Sequence, residues 1–69
     1  MKEIDKLRVL IPHWIEHNSE HEDEFRRWAE NAGNHSGNLI AAADSIALAN
    51  EHLQIALDNM GGPLPTPEM

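Results

Sequence analysis

Apolar residues step along this chain by threes and fours. In the first half Ile4, Leu7, Ile11, Trp14, Phe25, Trp28 and Ala32 keep the helical period, and nothing there alternates as a strand would. In the second half Leu39, Ala43, Ile46, Leu53, Leu57 and Met60 do the same. Between the two stripes lies one plausible turn, Asn34-His35-Ser36-Gly37-Asn38. Gly33 suits a left-handed helix end, and Ser36 or Asn38 suits the cap of the next helix. Gly61-Gly62-Pro63 ends the second stripe, and the proline-rich tail 63–69 is expected to be extended or disordered. Pro12 interrupts the first stripe, because proline removes an interior hydrogen bond and clashes with the preceding turn. The pattern therefore predicts an all-α antiparallel helical hairpin over residues 1–62, with helices near 3–10, 12–32 and 38–60. Pro12 is either a kink in the first helix or a break between two.

Written as heptads, the first helix has Ile4, Ile11, Asn18, Phe25 and Ala32 at a, and Leu7, Trp14, His21 and Trp28 at d. The second has Ala43, Asn50 and Leu57 at a, and Leu39, Ile46, Leu53 and Met60 at d. The a/d seam predicts that Trp14, Phe25 and Trp28 lie in the core. Asn18, His21 and Asn50 fall on the same stripe, as a polar layer that fixes register. A further apolar line, Ala41, Leu48 and Ile55, faces away from the hairpin partner. Apolar lines on two sides call for burial from both, so the hairpin is expected to dimerise into a four-helix bundle.

Size strengthens that expectation. Sixty-nine residues make one small domain, and a core of that size rarely supplies more than about 3–5 kcal/mol. The absence of cysteine rules out disulfides and thiolate metal sites. Oligomerisation or a metal held by nitrogen and oxygen remain as staples. The formal net charge of −7 argues against nucleic acid and anionic membranes as partners. The apolar runs are too short to span a bilayer, and the first residues lack the apolar stretch of a signal peptide. A cytoplasmic protein is expected.

The candidate chemistry lies in the histidines. His13, His17 and His21 recur every four residues, which stacks imidazoles along one helix stripe. Folding the chain at the turn sets residues whose numbers sum to roughly 69–70 level with one another, which brings His52 beside His17. A divalent transition-metal site follows, with His13, His17 and His52 as ligands and His21 or Glu20 completing the shell. Glu16 and Glu24 are further candidates. Imidazole suits Zn, Ni, Co and Cu alike. H-E-x-x-H itself is absent, and surface or interface histidines without a metal are the other reading. Acid–base or nucleophilic catalysis finds no convincing constellation, so no enzyme is expected.

Three segments carry a resemblance: Lys6 to Asn18, Glu24 to Ala29 and Asn50 to Leu53. They resemble a family of short uncharacterised prokaryotic proteins in which a histidine-bearing helical hairpin occurs alone or as a small appended domain. The resemblance implies the hairpin and brings no activity with it. Two functions stand open from the sequence. One is metal storage, sensing, delivery or structural stapling. The other is a metal-free helical adaptor that docks a partner.

Overall fold

The computed structural model describes residues 2–65. Two helices dominate: α1 over Glu3–Ala29 and α2 over Ser36–Asn59, with a short 3-10 turn over Gly33–His35 between them. No strand occurs among the described residues. Of the proline-rich tail, residues 63–65 are described, and 66–69 lie outside the described residues. α1 places Glu3 and Asp5 in its first turn and Arg26 and Arg27 in its last. Both choices complement the helix dipole.

Pro12 sits inside one continuous helix, so the expected alternative of a break is not realised. Its ring nitrogen carries no hydrogen, which leaves the carbonyl four residues earlier, that of Arg8, without an intrahelical donor. Leu64 supplies the replacement. Its backbone N–H donates to the Arg8 oxygen at 3.2 Å. The Arg8 side chain holds the same segment from the other direction: Nε donates to the Gly62 oxygen at 2.7 Å, and Nη2 to the Gly61 oxygen at 3.0 Å. α2 is itself closed by a Schellman arrangement. The Gly62 N–H donates to the Leu57 oxygen and the Gly61 N–H to the Asp58 oxygen, with Gly61 at φ +108°.

At the other end α1 stops at Ala29, earlier than the apolar pattern suggests. Gly33 turns the chain at φ +56°, as its position predicted. The Ser36 hydroxyl donates to the Ala29 oxygen. It closes the end of α1 rather than capping α2, which has no side-chain cap.

The seam between the helices keeps the expected level but not the expected rotation. Arg8 meets Gly62, Asn18 meets Asn50, and Arg26 meets Asp44, all at the predicted level. α2 packs through its a and d lines, with Ala43 and Leu57 fully buried. α1 packs through a and e: Ile11 and Ala29 are buried, and Arg8, Ile15, Asn18, Glu22 and Phe25 are half-buried. Beyond Leu7, which is half-buried, the d line turns outward, leaving Trp14 43% and Trp28 63% exposed. This corrects the expectation that both tryptophans lie in the core. Replacing d by e rotates α1 about its axis by roughly 50°, half the angular step of one residue. Ala29 and Ala43, both small, are buried on the seam side of their helices near the turn. Polar contacts from Arg8, Ser19 and Arg26 draw the same side of α1 toward α2.

The result is a slab of 48 × 26 × 13 Å. A helix with its side chains is about 10–12 Å across, so the protein is one layer thick. Helical spacing puts Leu10, Trp14, His17, His21 and Trp28 on one broad face of α1, and Leu48 and Ile55 on the outer edge of α2. Leu10, Trp14, Trp28, Leu48 and Ile55 are all exposed. Among the described residues no helix is long and apolar enough to cross a membrane.

Candidate functional site

Midway along the seam the two asparagines form the predicted polar layer. Asn18 Nδ2 donates to Asn50 Oδ1 at 3.0 Å. Asn50 Nδ2 in turn donates to Ser19 Oγ at 3.1 Å and to the Ile15 oxygen at 3.2 Å. These bonds need α1 and α2 at one level, so the layer sets register as a buried asparagine does in coiled coils. Ser19 belongs to it, although the apolar pattern leaves that residue off the stripe. His21 does not belong to it. The rotation of α1 carries His21 out of the seam to an exposed position.

There His21 meets His17. Their Nε2 atoms lie 3.2 Å apart, within hydrogen-bond distance, and the rings pack edge to face with centroids 4.7 Å apart. The opposite ring nitrogens face carboxylates. His21 Nδ1 is 3.3 Å from Glu24 Oε1, and His17 Nδ1 is 4.0 Å from Glu20 Oε2. Phe25 flanks the His21 ring at 6.2 Å between centroids. The four-residue spacing brings the imidazoles together, and a glutamate three residues after each histidine stands behind its ring. That second pattern, His17 with Glu20 and His21 with Glu24, was legible in the sequence as a three-residue step. Sequence reasoning placed these glutamates as ligands. The structure sets Glu24 within hydrogen-bond distance of the His21 ring and leaves Glu20 at 4.0 Å from that of His17; in metal sites a carboxylate bonded behind a ligating ring fixes its tautomer and raises its basicity.

The other candidates stand apart from this pair. His13 shares with Trp14, His17 and Leu53 an open groove of about 540 Å³ that Glu16 and Glu20 also line. His52 is exposed on α2 and does not line that groove. Among the described residues no three His, Asp or Glu side chains converge to hold a metal ion. The level of His52 agrees with expectation. Helical spacing puts His52 beside Leu48 and Ile55 on the outer side of α2, away from the α1 histidines.

On the opposite broad face Arg26 bridges the helices. Its Nη2 lies 3.0 Å from Asp44 Oδ1 and 3.0 Å from Glu22 Oε2. Hydrogen bonds to Asp44 and then to Glu22 raise its pKa further, so this cation is permanent. One face of the slab is thus charged, and the other carries tryptophans, leucine and the histidine pair.

The chain belongs to a family described as a domain of unknown function, DUF8180, whose match spans residues 7–60. That span covers the hairpin from Leu7 to Met60. No curated protein and no solved structure matches the chain.

Proposed function

We propose that this protein is a helical association module that pairs with a second copy of itself, stacking two slabs into a four-helix bundle. The observation that carries this reading is the single-layer thickness of 13 Å combined with Trp14, Trp28 and Leu10 exposed on one broad face. Stable domains bury helix faces between at least two layers. Among the described residues the second layer is missing. A face of 48 by 26 Å is also ample for the roughly 800 Å² that each partner buries in a stable interface.

Sedimentation equilibrium of the full chain at tens of micromolar tests this directly. The expected mass is twice the 7.8 kDa of one chain. Trp28→Glu should return the protein to monomer with its helix content intact. A wild-type monomer throughout that range would reject the reading. A different helical partner docked on the same face is the adaptor version, and it would show as a monomer that binds through Trp14 and Trp28.

One observation favours a second role, the binding of a divalent transition metal. Two imidazole nitrogens bound tetrahedrally to zinc at 2.0–2.1 Å stand about 3.3 Å apart, close to the 3.2 Å between His17 and His21 Nε2. Zn, Ni, Co or Cu would suit this pair, with His13, His52 and Glu20 as the remaining ligand candidates. The metal would serve storage, sensing, delivery or stapling of the bundle. Zinc titration of His17→Ala against His35→Ala tests it, with binding lost in the first and kept in the second.

A further inference from the structure

The histidine pair lies on the face that the proposed bundle closes, and it supplies two of the four ligands a tetrahedral ion takes. We infer that His17 and His21 are half of a four-imidazole metal site that a second copy of this chain completes across a two-fold axis. The inference rests on the association reading above and on the spacing of side chains along α1.

At about 100° per residue, Leu10 and Trp28 share one line on α1, and His17 and His21 straddle that line. The set is symmetric about the level midway between the two histidines. A two-fold axis crossing α1 at that level, perpendicular to the helix and in the plane between the slabs, runs α1 antiparallel to its copy. Leu10 then faces the partner's Trp28, and His17 faces the partner's His21. A two-fold interface must be self-complementary in this way, with each residue meeting the mate of its own mate. The arrangement brings four Nε2 atoms to one point between apolar contacts above and below.

The pair is set for this use in three respects. Its nitrogens are already separated by a tetrahedral edge. Its Nδ1 atoms lie on the side of Glu24 and Glu20, so a proton held at each Nδ1 would free both Nε2 lone pairs for a metal ion in place of the hydrogen bond between them. The ligands are all imidazole, which places the site among zinc, nickel, cobalt and copper rather than calcium or magnesium. The four carboxylates flanking the site, two from each chain, offset the charge of the dication.

The test uses the full chain freed of metal with chelator, titrated with ZnCl2 alone. Calorimetry should give one zinc per two chains. Sedimentation should show a dimer whose dissociation constant falls at least tenfold when zinc is added. His17→Ala and His21→Ala should each abolish that tightening, so that the dissociation constant of each variant is the same with and without zinc. Removing a carboxylate behind a ligating histidine typically costs 10–100-fold in metal affinity, so Glu24→Gln should weaken zinc binding within that range. His13→Ala and His52→Ala should bind zinc as wild type does. A dimer that ignores zinc, or one that takes one zinc per chain, would overturn the shared site and leave the association reading intact. A chain that stays monomeric with and without zinc would overturn both. Trp28→Glu gives an internal check: the isolated pair should bind zinc at least tenfold more weakly than the wild-type dimer.

Discussion

The two flanks of α1 share one helix and meet opposite fates. The flank bearing Ile11, Ile15, Asn18, Glu22 and Ala29 faces α2, although three of its neighbours in the seam are Arg8, Ser19 and Arg26. The flank bearing Leu10, Trp14 and Trp28 contains both tryptophans of the chain and is left open. Total hydrophobicity would have chosen the second flank. Two buried alanines, an asparagine pair that satisfies itself, and a cation with partners on both helices mark the first. Burying an amide without a partner costs on the order of 1–3 kcal/mol, so a seam that pairs its amides can compete with a more apolar one that cannot. The more apolar flank then remains for a second molecule.

Four changes would break or sharpen that contrast. The largest effect belongs to the closed flank's partner. Leu57 on α2 is 3% exposed, and truncating a buried leucine costs about 2–5 kcal/mol. Against a core worth about 3–5 kcal/mol, Leu57→Ala should leave the chain largely unfolded by circular dichroism at 25 °C. Trp14→Ala, on the open flank, should retain full helicity in dilute solution despite removing a larger side chain.

Asn50→Ala comes next. It strands the Asn18 amide and removes the bonds to Ser19 and Ile15, so a loss of about 1–3 kcal/mol is expected in urea denaturation. Replacing both asparagines by leucine should recover most of that stability, since neither amide is then left unpaired. It should also loosen the register, seen as a second set of amide resonances.

A smaller and more local effect is expected from Pro12→Ala. The new N–H can bond the Arg8 oxygen within α1, and interior proline costs a helix about 3 kcal/mol relative to alanine. Because the tail already occupies that carbonyl, the gain should be a fraction of this. The distinguishing signal is hydrogen exchange at Leu64, whose amide should lose protection while the amides of α1 gain it.

The smallest effect is that of Arg26→Gln. Its guanidinium is 40% exposed and its Asp44 partner 65%, and ion pairs so open to water contribute little. The loss should shrink further at 1 M salt, where the Debye length is about 3 Å.

The hairpin, its turn and its level were legible because they follow from period and punctuation. Gly33, Gly61 and Gly62 take positive φ where the pattern places helix ends, and the shared level follows from the position of the turn. The rotation of α1 was not legible. A binary pattern scores Arg8 and Glu22 of the e line as polar and both tryptophans of the d line as strongly apolar, so it favours the a/d flank. What decides the seam is whether each polar group finds a specific partner across it, and that is a property of pairs. The same distinction runs through the histidines. His17 and His21 meet because four residues on one helix are a local step. The meeting of His13 and His17 with His52 required α2 to turn His52 toward α1, whereas its phase on the helix sets it with Leu48 and Ile55 on the outer side.

Pro12 and Arg8 together give the chain an unusual topology in polymer terms. The covalent turn joins the helices at one end, and the bonds between Arg8 and the Gly61–Leu64 segment join them at the other. The hairpin is therefore a ring with one reversible link. While that link holds, neither helix end can fray without releasing the other, and the entropy of an open loop is gained only when the link and the seam part together. Cutting the link converts a molecule that opens as a whole into one that unzips from its proline end toward the turn.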